Sequence, residues 1–311
     1  MKKWILKAVI QKLISFLPYK HRINYLFQKY ITKGVQLSDA YFEDRLIHLG
    51  HHLAFYRKYK GENRGVQSLE LGTGWYPVVP VGLFLSGVAT VYTVDISRLM
   101  NKERVLTTVN KFINNRKHEQ LEALGELVDA RWDKLEYLQQ HGAQLSFEKI
   151  LEILHIRYLV ADARNLSLPD HSIDLITSNN TFEHVYPDIL QQILTEFKRL
   201  LKAGGLMSHF IDMSDHFAHL DHHITIYNFL QFTPQQWHRI DNTIQPQNRW
   251  RINQYRQLYQ RLEIPITEEL NRPGDLPALR TVTLATPFSQ MPENDVAISH
   301  SYVISVLSSL V

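Results

Sequence analysis

The sequence contains no cysteine among its 311 residues. Disulfide bonds, thiolate zinc sites and cysteine nucleophiles are therefore excluded. An apolar run of bilayer length is also missing, because Lys7 and Lys12 interrupt the N-terminal apolar stretch, which ends at Pro18 after about seventeen residues. No small-residue cleavage site follows that stretch, so it does not resemble a signal peptide and we expect a cytoplasmic protein.

Acidic residues are missing from the start of the chain. Residues 1–33, which we call the basic arm, hold eight of the 34 Lys and Arg and none of the 31 Asp and Glu. The remaining chain carries 26 basic and 31 acidic side chains, a net charge of −5. A basic arm on a mildly acidic body predicts that the arm faces an acidic surface, which is either the body itself or anionic lipid.

Apolar residues at helical spacing predict three helices in residues 1–64, over about 4–17, 23–32 and 38–59, the last with Ser38 as its N-cap. We expect this helical region to pack against the body as a lid. Peripheral contact of the basic arm with an anionic membrane is the alternative, since lysine-studded apolar helix faces serve both purposes.

A compact glycine-containing segment, residues 68–98, combines a strand, a tight turn, a helix start and a second strand. Gly72 and Gly74 let the backbone turn sharply and approach a ligand, and a helix start offers that ligand free N–H groups. Asp95 ends the second strand about twenty residues later, where an acid accepts both hydroxyls of a ribose. Pro77 stands near the place of a third glycine, so the dinucleotide fingerprint is incomplete, which argues against NAD or FAD.

The run Glu70-Leu71-Gly72-Thr73-Gly74 resembles motif I, E-x-G-x-G, of the class I S-adenosylmethionine (SAM) dependent methyltransferases. The continuation after a predicted fourth strand, NNTFEHV at residues 179–185, is similar to the N-x-x-E-H-[VI] signature of that family. A break at residues 203–205, AGG, is similar to its R-x-L-K-P-G-G turn with Ala203 in place of proline. The resemblance covers residues 65–101 and 157–306.

The resemblance implies SAM as the cofactor and S-adenosylhomocysteine as the product. It places the glycine turn at the amino-acid tail of SAM and an acid after the third strand, Asp162, at the adenine amino group. An asparagine after the fourth strand then lies beside the methionine part. The predicted cofactor-binding residues are Glu70, Gly72, Thr73, Gly74, Asp95, Ile96, Asp162, Ala163, Asn179 and Asn180.

A polar segment, DMSDHFAHLDHH at residues 212–223, follows the predicted fifth strand and faces the transferable methyl group in this fold. His216 or His219 is the predicted base or acceptor-orienting group, with His184 near the acceptor. A metal site, in which His216, His219 and His223 share a helical face with Asp212 or Asp215, and a satisfied polar loop are the alternatives. His184 alternatively caps the next helix. The predicted site includes no metal.

An aromatic segment, residues 227–237, either walls an acceptor pocket or belongs to the core. Further elements are predicted from periodicity: helices over 189–201, 249–259 and 276–285, and strands over 66–71, 91–94, 156–160, 172–180, 206–211, 262–267 and 296–306.

The resemblance implies an α/β fold, a doubly wound, mostly parallel seven-stranded sheet of order 3-2-1-4-5-7-6 with the last strand antiparallel. We expect residues 1–64 to form the lid and 65–311 the SAM-binding domain, with a helical insertion at about 101–155 and an acceptor-side cap at about 212–248. The length of the insertion exceeds ordinary connections, so substrate or dimer contacts are its expected role.

The implied function is methyl transfer to nitrogen or oxygen of a small molecule, in small-molecule biosynthesis. One alternative is a cyclase or aminocarboxypropyl transferase that releases methylthioadenosine. The other is a non-catalytic SAM-fold protein that binds a membrane or partner. Nucleic acid is not an expected partner, because the body is acidic and no N-P-P-Y motif is present. A homodimer is left open.

Overall fold

A computed structural model describes residues 3–17, 36–122 and 124–307. A seven-stranded sheet crosses the molecule, formed by β1 (Gln67–Leu71), β2 (Thr90–Asp95), β3 (Ile156–Val160), β4 (Ile173–Asn179), β5 (Leu201–Asp212), β6 (Glu268–Arg272) and β7 (His300–Val306). Its order is β3-β2-β1-β4-β5-β7-β6. Only β7 runs antiparallel to its neighbours, β5 and β6. The predicted fold class and strand order are confirmed.

The helices in the described part of the chain lie on both faces of this sheet. They are α1 (Lys3–Ser15), α2 (Asp39–Lys60), α3 (Val78–Leu85), α4 (Lys102–Asn114), α5 (Glu119–Glu122), α6 (Asp129–His141), α7 (Phe147–Ile153), α8 (Pro187–Leu200), α9 (Pro234–Ile240), α10 (Ile252–Arg261), α11 (Leu276–Arg280) and α12 (Glu293–Ala297). The predicted helix over residues 23–32 lies outside the described residues.

Two apolar layers cover the central strands, whose buried residues include polar side chains such as Ser68, Glu70 and Thr177 among the apolar ones. One layer joins α2, α3, α4, α6 and α7. The other joins α8 and α10. In α8 a proline begins the helix, one face is apolar and buried, and Lys198 and Arg199 lie in the last turn, where cations suit the negative helix end. The insertion at 101–155 is helical, as predicted, and forms part of the first layer.

Helix α2 is part of the first apolar layer against the sheet and does not lie over the protein as a cover. Leu49 and Leu53 are fully buried in the first apolar layer, and Ser38 caps the helix by accepting a hydrogen bond from the backbone N–H of Tyr41 at 3.1 Å. Helix α1 packs elsewhere: Trp4 contacts Phe217 in a third apolar cluster together with α9. The proposed division at residue 64 stays a prediction. Within the described ranges, no helix combines the length and apolar character that a bilayer span requires.

Four element predictions differ from the structure. The helix predicted over residues 276–285 ends at Arg280. The predicted break at residues 203–205 lies inside β5 as a bulge: Ile173 pairs with Leu201 but Leu175 pairs with Leu206, so β5 accommodates extra residues there. The predicted strand over 262–267 is wrong, because this segment turns back on α10 with Glu263 at φ 52° and β6 begins only at residue 268. Residues 293–297 form α12, so β7 is shorter than predicted.

Candidate functional site

The carboxyl ends of β1, β2, β4 and β5 meet at one edge of the sheet, where a doubly wound fold binds its ligand. Most of the predicted site residues lie at or directly beyond these strand ends. The sheet pairing therefore places four features at the ends of neighbouring strands: the glycine turn, Asp95, Asn179 and Asp212. Long stretches of sequence separate them.

The glycine turn after β1 depends on left-handed backbone at Gly72 (φ 77°) and Gly74 (φ 75°). The N–H of Gly72 donates to the carbonyl of Val94 at 2.9 Å. A Cβ added at Gly72 would lie 2.9 Å from Thr181 Cγ2 and closer still to Oγ1, whereas one added at Gly74 would meet nothing within 4 Å. The two glycines thus differ in their surroundings. Gly72 packs closely against Thr181, whereas Gly74 borders open space.

Asp95 is joined directly to this turn. The N–H of Gly74 donates to Asp95 Oδ1 at 3.3 Å. Asp95 Oδ2 is buried and finds no hydrogen-bond partner among the described residues. Burial raises the pKa of Asp95 to about 7, and the Gly74 N–H only partly offsets that rise. Ile96 is 75% exposed beside it, an apolar side chain at the rim of the site.

Glu70 lies beneath the turn and is almost completely buried. Its carboxylate accepts a hydrogen bond from Thr73 Oγ1 at 2.6 Å, which ties β1 to the residue between the two glycines. Burial raises the pKa of Glu70 to about 7; the Thr73 hydrogen bond opposes the rise and the Asp95 charge adds to it. Glu70 therefore supports the turn from below, while Asp95 faces the ligand side.

Asn179 and Asn180 follow at the end of β4. Asn179 Nδ2 and Asn180 Oδ1 are buried and make no hydrogen bond of normal geometry within the described chain. Asn180 takes left-handed backbone (φ 48°), and its N–H donates to the carbonyl of Phe210 at 3.1 Å. Two further polar atoms without partners thus lie at the same sheet edge as Asp95 Oδ2.

His52 of α2 lies at this sheet edge, and no sequence pattern had indicated it. Its Nε2 lies 2.9 Å from Asn179 Oδ1 and its Nδ1 lies 2.7 Å from Ser208 Oγ. Because an amide oxygen only accepts, Nε2–H donates to Asn179 and Nδ1 accepts from Ser208. Burial lowers the pKa of His52 to about 3, so the ring is neutral and holds the Asn179 amide in one orientation.

Replacing His52 with leucine should weaken SAM binding by about tenfold, or about 1.4 kcal/mol. The substitution leaves Asn179 Oδ1 buried without a donor, which also costs about 1–3 kcal/mol of unfolding free energy. Calorimetric titration with SAM and chemical denaturation measure the two effects. His209→Leu is the matched control, because His209 is equally buried but contacts Ser178 rather than Asn179. Unchanged SAM affinity in His52→Leu would remove this positioning role.

Asp162 and Ala163 lie in the loop after β3, as predicted. Both oxygens of Asp162 accept from Arg164 Nε, at 2.9 and 3.0 Å, and this hydrogen bonding holds the Asp162 pKa below its ordinary value. The Asp162 side chain is 42% exposed, whereas Ala163 is buried. An ionised and oriented carboxylate is therefore open to a ligand at the edge of β3.

The histidine segment after β5 does not form the helical face that a His216, His219 and His223 metal site would require. Turns occupy this segment, because Asp215 and Asp221 accept the backbone N–H groups of Phe217 (2.8 Å) and His223 (3.2 Å). Asp215 is further bound by Asn228 at 3.1 Å. His219, His222 and His223 are exposed.

His184 and His216 approach each other instead, with ring centroids 4.9 Å apart. His184 Nδ1 lies 2.7 Å from the carbonyl oxygen of Pro246, and burial lowers the pKa of His184 to about 4, with His216 adding to the effect. His216 Nε2 lies 3.2 Å from Asp212 Oδ2. Burial alone would raise the Asp212 pKa, but His216 and His300 hold it below its ordinary value.

Glu183 is the second residue that the sequence reasoning passed over. It is 2% exposed, and neither carboxylate oxygen makes a hydrogen bond of normal geometry within the described residues. Burial raises the pKa of Glu183 well above its ordinary value and the Asp212 carboxylate raises it further, while backbone N–H groups of Glu183 and Asp212 offset only part of this. Glu183, His184 and His216 each offer a ligand atom within 4.8 Å of the others.

A cavity adjoins the two histidines. Its lining includes His184, His216, Trp237 and, from α1, Lys7 and Gln11. Most of the aromatic segment 227–237 is core rather than pocket wall, since Tyr227, Phe229, Leu230 and Trp237 pack in the third apolar cluster, but Trp237 reaches the cavity from that cluster. Helix α1 thus covers a small cavity beside the sheet edge.

Comparison with known proteins gives a partial match. Residues 127–208 match the family model described as a methyltransferase domain. The matched segment contains β3, β4 and the NNTFEHV run but not the glycine turn or Asp95. The match and the strand order confirm the resemblance to class I SAM-dependent methyltransferases, and they make SAM the expected cofactor. No curated protein matches the sequence.

A search of solved structures finds similar chains at low sequence identity. One is a chain of the Haloferax volcanii complex that contains the Trm112 methyltransferase activator (TM-score 0.45, 18% identity, covering 86% of this chain and 91% of that one). Another is phosphoethanolamine N-methyltransferase 2 of Haemonchus contortus in complex with SAM (0.46, 13%, 91% and 59%). A third is the YcgJ protein of Bacillus subtilis (0.42, 13%, 83% and 98%).

Proposed function

We propose that the protein transfers a methyl group from SAM to nitrogen or oxygen of a small-molecule acceptor. One observation supports this most: Asp95 is fixed through Oδ1 to the Gly74 amide, while its buried Oδ2 has no partner among the described residues. A buried acceptor left unpaired is costly unless a ligand pairs with it. Ribose hydroxyls of SAM provide such donors, and the open space at Gly74 leaves room for the neighbouring amino-acid tail.

Each predicted residue has a part in holding the cofactor. The glycine turn and the N-terminus of α3 present backbone N–H groups to the amino-acid tail. Ile96 covers one face of the adenine, and Asp162 with the amide of Ala163 meets its edge. Asn179 Nδ2, oriented by His52, and Asn180 face the methionine part.

When bound, SAM supplies a methyl group on a positively charged sulfur, so the acceptor lone pair forms a bond to that carbon and the carbon–sulfur electron pair stays on S-adenosylhomocysteine. The chain aligns the acceptor and excludes water. His184 and His216 line a small cavity, and in this proposal they orient the acceptor beside it. His219 is the proposed base that takes the acceptor proton, because it is exposed and its ring lies 5.8 Å from that of His216. His184 is less suited to this step, because burial lowers its pKa to about 4 and makes the ring a weak base.

The covering of the cavity by Lys7 and Gln11 favours a lid role for α1. Lys12 Nζ also donates to the carbonyl oxygen of His238 at 3.0 Å. Membrane contact through the basic arm is a second proposal, favoured by Leu13 of α1 (62% exposed) and Phe16 directly after it (75% exposed). Sedimentation with anionic vesicles at two salt concentrations distinguishes the two roles.

The proposal also includes a soluble small-molecule acceptor and a role in biosynthesis in the cytoplasm. It includes no nucleic-acid partner. Product analysis by mass spectrometry separates methyl transfer from its rivals. S-adenosylhomocysteine is the expected product, whereas methylthioadenosine would indicate cyclisation or aminocarboxypropyl transfer. Saturable SAM binding without either product across broad acceptor panels would indicate a non-catalytic protein.

Replacing Asp95 with alanine should weaken SAM binding by about 2–3 kcal/mol, or about 30- to 150-fold, because the ribose hydroxyls lose their charged acceptor. Calorimetry measures this loss directly. Asp162→Ala is a comparison at the adenine edge, where the exposed carboxylate should contribute less. Wild-type affinity in Asp95→Ala would exclude Asp95 from the cofactor site.

SAM affinity should fall as the pH falls through 7. The ribose hydroxyls need the ionised Asp95 carboxylate, and the pKa of that group is raised to about 7, so its ionised fraction drops below this pH. The dissociation constant should therefore rise about tenfold between pH 8 and pH 6. Glu70→Gln is the control, because Glu70 has a similarly raised pKa but should leave the pH dependence in place. A flat pH profile would contradict the role of Asp95.

A further inference from the structure

We infer that Glu183, His184 and His216 bind a divalent first-row transition-metal cation beside the acceptor cavity. One ligand atom from each residue lies within 4.8 Å of the other two. Ligands that sit about 2.0–2.2 Å from a common ion lie up to about 4.4 Å apart, so small side-chain adjustments bring all three atoms to one ion.

The Glu183 carboxylate provides the first reason. It is 2% exposed, and neither of its oxygens makes a normal hydrogen bond within the described chain. Among charged side chains, the acid Asp212 influences it most, and Arg45 exerts a smaller, opposite influence. A buried, unpaired carboxylate beside a second acid is stabilised by a cation, and side-chain cations of Lys or Arg make no ion pair with it in the described residues.

The histidines provide the second reason, because each ring has a carbonyl or carboxylate oxygen close to one of its nitrogens. A carbonyl oxygen only accepts, so His184 Nδ1–H donates to Pro246 and the lone pair of the neutral ring remains on Nε2. Asp212 Oδ2 lies 3.2 Å from His216 Nε2. Metal-binding histidines have carbonyl or carboxylate partners of this kind, which fix the tautomer and the ring orientation.

The donor set selects the class of ion. Two imidazole nitrogens and one carboxylate suit Zn²⁺, Fe²⁺ or Mn²⁺ better than Mg²⁺ or Ca²⁺, which prefer oxygen ligands. His184 and His216 also line the cavity, so the acceptor's oxygen can complete the coordination. There the cation would lower the pKa of an acceptor hydroxyl, which favours an oxygen acceptor. This role of the ion rests on the proposed function, whereas metal binding itself does not.

The experiment uses the full-length protein, stripped with a chelator, dialysed and titrated with Zn²⁺ and Mn²⁺ by calorimetry. We expect one site per chain, with Glu183→Gln weakening the affinity by at least about tenfold. Glutamine keeps the size of the side chain and removes a buried charge, so this variant should fold. His223→Ala is the control and should leave the metal affinity unchanged, since His223 is exposed on the same segment. Visible absorption of the Co²⁺ form should change in Glu183→Gln only.

No stoichiometric binding, or binding that Glu183→Gln leaves unchanged, would overturn the metal site. A SAM titration of the same stripped protein separates this inference from the proposed function. SAM binding without metal binding overturns the metal site alone. Metal binding that depends on Glu183, in a protein that does not bind SAM, supports the metal site and contradicts the proposed function.

Discussion

Gly72→Val should abolish SAM binding, with a loss of more than about 100-fold, or about 2.7 kcal/mol. Gly72 has φ 77°, which a β-branched residue adopts only with strain, and any Cβ there clashes with Thr181. Relief of that clash moves either the glycine turn or the segment after β4, and both are parts of the proposed cofactor site. Calorimetric titration with SAM, accompanied by circular dichroism to verify folding, measures the effect.

Two other glycines separate backbone strain from loss of the site. Gly65 has nearly the same φ, 78°, and no atom within 4 Å of an added Cβ, so Gly65→Val imposes similar strain away from the site and should retain SAM binding. Gly74→Ala meets no protein atom either, but its methyl group enters the proposed ligand space and should weaken binding. If the folded Gly72→Val protein binds SAM normally, the glycine turn does not hold the cofactor.

His219→Ala should lower turnover by about 10²–10⁴-fold while leaving SAM affinity unchanged. The expected loss follows from the position of His219 beside the cavity histidines, where it can accept the proton that leaves the acceptor. Single-turnover kinetics with an accepted substrate, together with SAM calorimetry, separate the chemical step from cofactor binding.

His222→Ala is the matched control for this loss, because His222 is an exposed histidine three residues further along the same segment. It should retain normal turnover. Near-normal turnover in His219→Ala would instead assign the proton transfer to solvent or to another group of the cavity, with His216 the next residue to test.

Much of the fold was predictable because its signals are local. The left-handed glycines, the β-branched and aromatic run of β2 and the acid at its end each follow from a few neighbouring residues. The resemblance then ordered the strands correctly. The errors occurred where a local pattern was overridden: Leu262 and Ile264 pack back against α10, so an apolar run that suggested a strand became a helix-ending turn.

The polar site was harder to predict because its contacts join distant segments. His52 lies 127 residues from Asn179, and no spacing rule connects a histidine of α2 to the end of β4. The helical pairing expected among His216, His219 and His223 failed because Asp215 and Asp221 bind backbone N–H groups and hold the segment in turns. Glu183 lay within a recognised motif, but only its burial without a partner indicated a role.

The most direct test of the SAM site is a calorimetric titration of the full-length protein with SAM at pH 8, repeated with Asp95→Asn. We predict saturable binding at one site per chain, competition by S-adenosylhomocysteine, and a loss of about 30-fold or more in the variant, which keeps the shape of the side chain but not its charge. No binding by the wild-type protein, or equal affinities of the two proteins, would contradict a SAM site at this edge of the sheet.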